Sequence, residues 1–164
     1  MEKKDFRIAV VTVSDRSYRN EREDKSGPEL VKCFEENGYT VFQYMLVPDG
    51  KDGIKETLST LSDEKKADLI VTTGGTGVAE RDVTPEATME VASRNVPGIA
   101  EAIRACSLAK TSHAMLSRGA SVIRNKTLIV NFPGSPKACR ESFEVIMEAL
   151  PHALGLLRGE KLDS

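Results

Sequence analysis

Tryptophan is absent, aromatic residues make up only 5% of the chain, and there are just two histidines and three cysteines. Each shortage excludes something. A core poor in aromatics must be built from Val, Ile, Leu and Ala. Cys33, Cys106 and Cys139 are odd in number, lie far apart and fall on the apolar sides of predicted helices, which argues against a disulfide framework or a zinc site. They read as core thiols. His113 and His152 have no Cys or His at ligand spacing, so neither reads as a metal ligand. Charge of one sign is missing too: the formal net charge is −2. Lys and Arg are interleaved with acids, as in Glu2-Lys3-Lys4-Asp5 and Asp63-Glu64-Lys65-Lys66, and present no basic face for nucleic acid. No apolar run approaches membrane-span length, and the segment opening at Phe6 is too short for a signal-peptide core. No membrane partner is expected, and the expected location is the cytoplasm.

What is present is ordinary for a globular chain: 164 residues, 40% hydrophobic and 29% charged. A chain this long buries about 70% of its unfolded surface, enough for one core without staples. Phe6 to Val13 is nearly all apolar and reads as a strand covered on both faces. Ser26-Gly27-Pro28-Glu29 offers an N-cap followed by an acid three residues on, for a helix that Gly38 closes. Val41 to Val47 is a second strand. The next helix carries Ile54, Leu58 and Leu61 at one helical spacing, and Leu69-Ile70-Val71 is a third strand. Thr84-Pro85 reads as the cap and first residue of a helix reaching Arg94. Another helix follows Val96-Pro97-Gly98, with Ile99, Ala102, Ile103 and Cys106 on one face. After a less regular stretch (111–125), Thr127 to Val130 is a further strand. Ser135-Pro136 caps a long last helix with the stripe Cys139, Phe143, Ile146 and Leu150. The tail beyond Gly159 is expected to fray. Strands alternating with helices predict an α/β fold in three layers, a mostly parallel sheet with helices on both faces, in a single domain over 1–164.

In such a sheet, ligands bind at the carboxyl ends of the strands, near the switch in strand order. Four strand ends carry polar or glycine-rich residues: Ser14 and Asp15; Asp49; the run Thr72, Thr73, Gly74, Gly75, Thr76 and Gly77 with Asp82 beyond it; and Asn131 leading to Pro133, Gly134 and Ser135. Three glycines and three hydroxyls let a backbone approach an anion and present N–H groups to it. The run is not a Walker loop, since no Gly-Lys-Ser/Thr follows, and Glu80 stands where a dinucleotide fingerprint has its third glycine. The competing reading is a plain strand-to-helix turn. Gly134-Ser135-Pro136 places a turn before a helix N-terminus, an anion site or an ordinary cap. Asp49 and Asp82 are the acids to single out for Mg²⁺, which takes one or two carboxylates plus phosphate oxygens. Otherwise they are a turn residue and a helix-start residue.

Taken together, Thr12–Arg16, Ser26–Pro28, Val47–Asp49, Thr72–Gly77, Arg81–Ala87, Ala114–Arg118 and Pro133–Pro136 resemble the MogA/MoaB family and the gephyrin G domain, over roughly residues 6 to 159. The resemblance implies the molybdopterin-binding, MogA-like fold and adenylylation of molybdopterin from ATP with Mg²⁺, releasing pyrophosphate. It also implies a homotrimer and contact with the molybdenum insertase. By matching position, Asp49 and Asp82 are the family's essential aspartates, Ser117 and Asn131 match positions linked to molybdopterin handling, and Thr73–Gly77 with Pro133–Ser135 match the ligand-binding loops. The ending Pro133–Ala138 leans toward the MogA-like subgroup. The alternative is a MoaB-like binding or scaffold protein that does not adenylylate.

Overall fold

Along the first strand, β1 (Arg7–Val13), Ile8 and Val10 enter one hydrophobic cluster while Ala9, Val11 and Val13 enter another. Burial on both faces is why this strand reads as a continuous apolar run rather than an alternation. A computed structural model describes residues 2–161. After β1 come α1 (Asp15–Tyr18), α2 (Ser26–Glu36), β2 (Thr40–Val47), α3 (Lys51–Asp63), β3 (Leu69–Thr73), α4 (Thr84–Val91), β4 (Arg94–Asn95), α5 (Pro97–Leu108), β5 (Ser121–Arg124), β6 (Thr127–Phe132), α6 (Pro136–Ile146) and α7 (Leu150–Leu157). The sheet order is β2-β1-β3-β6-β5-β4. The first four strands are parallel, and β5 and β4 extend the sheet antiparallel. Helices α2, α5, α6 and α7 supply the cluster on one face through Leu30, Phe34, Ile103, Cys139, Phe143 and Leu154. Helices α3 and α4 cover the other through Ile54, Leu58, Leu61, Ala87 and Val91. The three-layer, mostly parallel arrangement is the expected one. Among the described residues no helix is long and apolar enough to cross a membrane.

Several local expectations are corrected. Ser26 does not cap α2; Lys25 holds that position without a side-chain bond, and Ser26 Oγ instead donates to the Gly134 carbonyl at 2.6 Å. Thr84 is likewise inside α4, behind Val83, and its hydroxyl donates to the Gly74 carbonyl at 3.1 Å. In both cases a loop carbonyl outside the helix takes the hydroxyl that the local pattern assigned to a cap. Helix α4 stops at Val91, not Arg94, because the Ser93 N–H bonds the Ile123 carbonyl and Arg94 and Asn95 pair with β5. The irregular stretch thus contains part of a hairpin, β5 to β6, turned at Asn125 with φ +54°, a conformation asparagine tolerates. Strand β6 runs to Phe132, two residues past the expected end, so Asn131 lies inside it. The long last helix is two: Met147–Ala149 form a turn and α7 restarts just before Pro151, which has no N–H to continue the ladder. Its stripe still enters one cluster. On α5 the buried residues are Ala100 and Ile103, while Ala102 is exposed and Cys106 half-buried. Of the tail expected to fray, Leu162–Ser164 lie outside the described residues, and the Glu160 N–H bonds the Gly155 carbonyl.

The amino edge of the sheet is closed by Asp68, which is buried. Its carboxylate accepts from the Arg7 N–H at 2.7 Å and from the Arg158 guanidinium at 2.6 and 2.7 Å, tying α7 to the start of β1 and β3. Arg158→Ala leaves that charge with one backbone donor. Stability is expected to fall by about 2 kcal/mol, less than for a fully buried pair because the guanidinium is partly exposed. A urea midpoint measures this, and an unchanged midpoint would mean that the Arg7 amide suffices.

Candidate active site at the carboxyl edge of the sheet

Strands β1, β2, β3 and β6 run the same way, so all four deliver the chain to one edge, and β1 lies between β2 and β3, where successive connections leave in opposite directions. This is the switch point at which open α/β sheets bind ligands. A cleft of about 670 Å³ opens there. Its walls come from Thr12, Val13 and Ser14 at the end of β1, residues 22–26 ahead of and entering α2, Asp49 after β2, Thr73, Gly74 and Gly75 after β3, Arg81 and Asp82, and Gly134, Ser135 and Pro136 before α6.

Close backbone contact holds these loops together. The Asp15 N–H donates to Asp49 Oδ2 at 3.0 Å and the Asp49 N–H returns a bond to Asp15 Oδ1 at 2.8 Å, clasping the ends of β1 and β2. Ser14 caps the single turn of α1 by accepting from the Ser17 N–H at 3.2 Å. Gly74 and Gly75 have φ of +100° and +69°; a Cβ on the first would sit 2.3 Å from the Val13 carbonyl oxygen, and on the second 2.3 Å from Thr84 Oγ1 and 3.2 Å from Asp49 Oδ1. Only glycine meets both demands. Thr73 Oγ1 donates to the Pro133 carbonyl at 2.6 Å, which joins the turn after β3 to that after β6. Ser135 caps α6 by accepting from the Ala138 N–H at 3.1 Å, so the positive end of that helix faces the cleft.

Of the residues singled out from sequence, Ser14, Asp49, Thr73, Gly74, Gly75, Asp82, Gly134 and Ser135 line the cleft. Asp15 and Pro133 stand behind the wall through the bonds just given. Thr76 and Gly77 continue the glycine turn away from it, Thr76 buried and a Cβ on Gly77 only 2.9 Å from Asp82 Oδ2. Ser117 and Asn131 are not brought to the cleft. Asn131 is buried inside β6, its amide donating to Thr72 Oγ1 at 2.9 Å and Thr88 Oγ1 at 3.0 Å and accepting from the Ala120 N–H at 3.0 Å. Ser117 follows the 3-10 turn Ser112–Leu116, and its carbonyl accepts from Arg104 at 3.3 Å.

Sequence reasoning missed the cations Arg22, Lys25 and Arg81, all in the cleft wall. Arg81 was findable as the neighbour of Asp82; Arg22 and Lys25 sit in a mixed-charge loop without periodicity. Asp24 was missed as well. Its carboxylate accepts from the Gly27 N–H at 3.1 Å and from the Tyr44 hydroxyl, and burial together with this acid pushes the Tyr44 phenol up to about 12. Asp49 is raised above the ordinary carboxylate value, chiefly by burial and further by the charges of Asp15 and Asp82, against the opposing pull of the Asp15 amide and Arg81. The cysteines are free thiols, and burial pushes that of Cys139 up to about 12.

A family model described as a probable molybdopterin binding domain matches residues 9–152. The chain belongs to that family. It is 42% identical over 156 residues to the molybdopterin adenylyltransferase of Helicobacter pylori strain J99, an alignment spanning 93% of this chain and 88% of that one. Among solved structures, the chain superposes on the molybdopterin biosynthesis enzyme MoaB of Thermus thermophilus with a TM-score of 0.89 at 46% identity, covering 96% of this chain and 99% of that one. A structure of MogA gives 0.87 at 36% identity, with 92% and 99% covered.

Two outcomes follow from the site geometry. Asn131→Ala would strand two hydroxyls and an N–H in a dry environment, costing about 2–4 kcal/mol in a denaturation experiment; full stability would free Asn131 for a ligand role. A raised Asp49 disfavours its own ionisation, so the folded protein gains from the protonated form below the ordinary value of 3.8 and loses that gain as pH rises through the higher folded value. Asp49→Asn is therefore expected to raise Tm at pH 7 relative to the parent, with the difference vanishing toward pH 3. A lower Tm at pH 7 would refute the sign.

Proposed function

We propose that this chain is a molybdopterin adenylyltransferase that transfers AMP from ATP to the terminal phosphate of molybdopterin and releases pyrophosphate. One observation carries the reading: Asp49 and Asp82 stand in one cleft with the Gly74 turn, the N-terminus of α6 and the cations Arg22, Lys25 and Arg81. Both substrates are polyanions, and this wall supplies fixed positive charge and backbone approach with two acids between. An oxygen of the molybdopterin phosphate attacks the α-phosphorus of ATP, and the bond to the β-phosphate oxygen breaks. No covalent enzyme intermediate is required. The chain's contribution is alignment of two bound phosphates and stabilisation of charge.

The acids fit a magnesium ion. Asp49 Oδ2 is fixed by the Asp15 N–H and Asp82 Oδ2 by the Ala79 N–H at 3.0 Å, which leaves Oδ1 of each without a hydrogen-bond donor among the described residues. No group of three or more His, Cys, Asp or Glu positioned for a metal exists among those residues. Two carboxylates completed by substrate phosphates are the ligand set magnesium favours. When bound there by Asp49 and Asp82, the ion supplies charge neutralisation on the phosphates. The reading further includes a cytoplasmic homotrimer that contacts the molybdenum insertase; exposed Met89, Met115 and Leu116 offer apolar surface of the kind subunit contacts cover.

Pyrophosphate release on mixing protein, molybdopterin, ATP and Mg²⁺ tests the reaction, and pterin binding without release would favour the scaffold alternative. Asp82→Asn is expected to fold and bind molybdopterin while transfer falls about 100-fold or more. Asp49→Asn should shift the Mg²⁺ dependence of the initial rate upward. Unaltered turnover in either variant removes that residue from the mechanism.

A further inference from the structure

Arg118 does not line the cleft, yet it is wired to the loop that delivers Asp82. Its backbone N–H donates to the Thr76 carbonyl at 2.8 Å, its Nε to the Gly77 carbonyl at 2.8 Å, and its Nη2 to the Asp82 carbonyl at 2.6 Å, while Nη1 pairs with Glu86 on α4. One guanidinium thus bridges both ends of the segment 77–82. That segment has little else to hold it: its residues are half-buried or exposed, Val78 is 67% exposed, and its internal bonds are the Asp82 N–H to the Ala79 carbonyl and the Ala79 N–H to Asp82 Oδ2. A planar fork with donors at fixed angles suits two carbonyls and a carboxylate at once, and a lysine ammonium, a point charge on a flexible stem, does not.

We propose that Arg118 is a positioning residue for adenylyl transfer, clamping the loop Gly77–Asp82 so that Asp82 and Arg81 face the substrates. The proposal rests on the transferase reading for its kinetic consequence but not for its structural one. Arg118 is partly exposed, and surface pairs of this kind contribute little to global stability. The effect therefore falls on loop order and on the reacting geometry, where a small misplacement costs up to about 100-fold in rate.

The test uses the full chain and the variants Arg118→Ala and Arg118→Lys, with two independent readouts. Arg81 makes the loop a trypsin site, so limited proteolysis followed by mass spectrometry reports its opening directly. Cleavage after Arg81 is expected to rise about 10-fold in both variants, because local opening governs such cleavage, while cleavage after Arg22 in the separate 19–25 loop stays constant. In parallel, kcat is expected to fall about 10-fold or more, with KM for molybdopterin nearly unchanged and Arg118→Lys failing to restore the rate. Parent-like cleavage at Arg81 in Arg118→Ala overturns the clamp whatever the enzyme does. Full restoration of both readouts by Arg118→Lys overturns it too, since charge alone would then suffice. Raised cleavage in the variants when the parent protein itself releases no pyrophosphate sustains the clamp and refutes the transferase reading instead.

Discussion

Gly74 passes so close to the end of β1 that a single methyl group on it would lie 2.3 Å from the Val13 carbonyl oxygen. Everything at the carboxyl edge is arranged around that approach. With no side chain in the way, the turn after β3 drops onto the end of β1, its carbonyl takes the Thr84 hydroxyl, and its successor Gly75 comes against Asp49. A Cβ on Gly134 would stand 3.6 Å from the Gly74 Cα, so the turn after β6 closes over the same point. The hydroxyls of Ser26 and Thr73 then lock the turns to one another. Parallel strands alone bring four chain ends to one rim; it is the missing side chains at 74 and 75 that let those ends share one cleft.

What was legible in the sequence follows from how far each signal reaches. The buried strands β1, β3 and β6 were readable because burial on both faces writes itself into consecutive residues. Strands β4 and β5 were not: Arg94 and Asn95 are exposed, and β5 has only Val122 and Ile123 as apolar content, so no period emerges. Pro151 was in plain view as a reason to split the last helix, but a stripe running unbroken from Cys139 to Leu150 masked it. Ser26 and Thr84 have ordinary cap chemistry, and only the fold reveals that carbonyls at 134 and 74 take those hydroxyls. At the site, aspartates stood out because each ends an apolar run or follows a glycine turn. Arg22 and Lys25 carried no such contrast within Arg19–Lys25, and the wiring of Arg118 spans residues 76 to 86, a relation that sequence spacing cannot express.

The two edges of the sheet treat a carboxylate withdrawn from solvent in opposite ways, and that contrast argues for where the chemistry sits. Asp68 at the amino edge is matched: a guanidinium meets both of its oxygens and a backbone amide adds a third donor. Such an acid is complete without a ligand, and its role is to hold β1, β3 and α7. Asp49 at the carboxyl edge has one backbone donor and two acidic neighbours opposed only by Arg81, and burial holds its pKa up. Arg81 offsets these like charges only in part, and incompletely matched ionisable groups in a cleft are a mark of a functional site. The turns and the clasp to Asp15 keep this unfavourable arrangement in place before any substrate enters. Because that electrostatic cost is met in advance by the rest of the fold, the acids are already fixed, and on the proposed reading little reorganisation would remain when a divalent ion and phosphates bind.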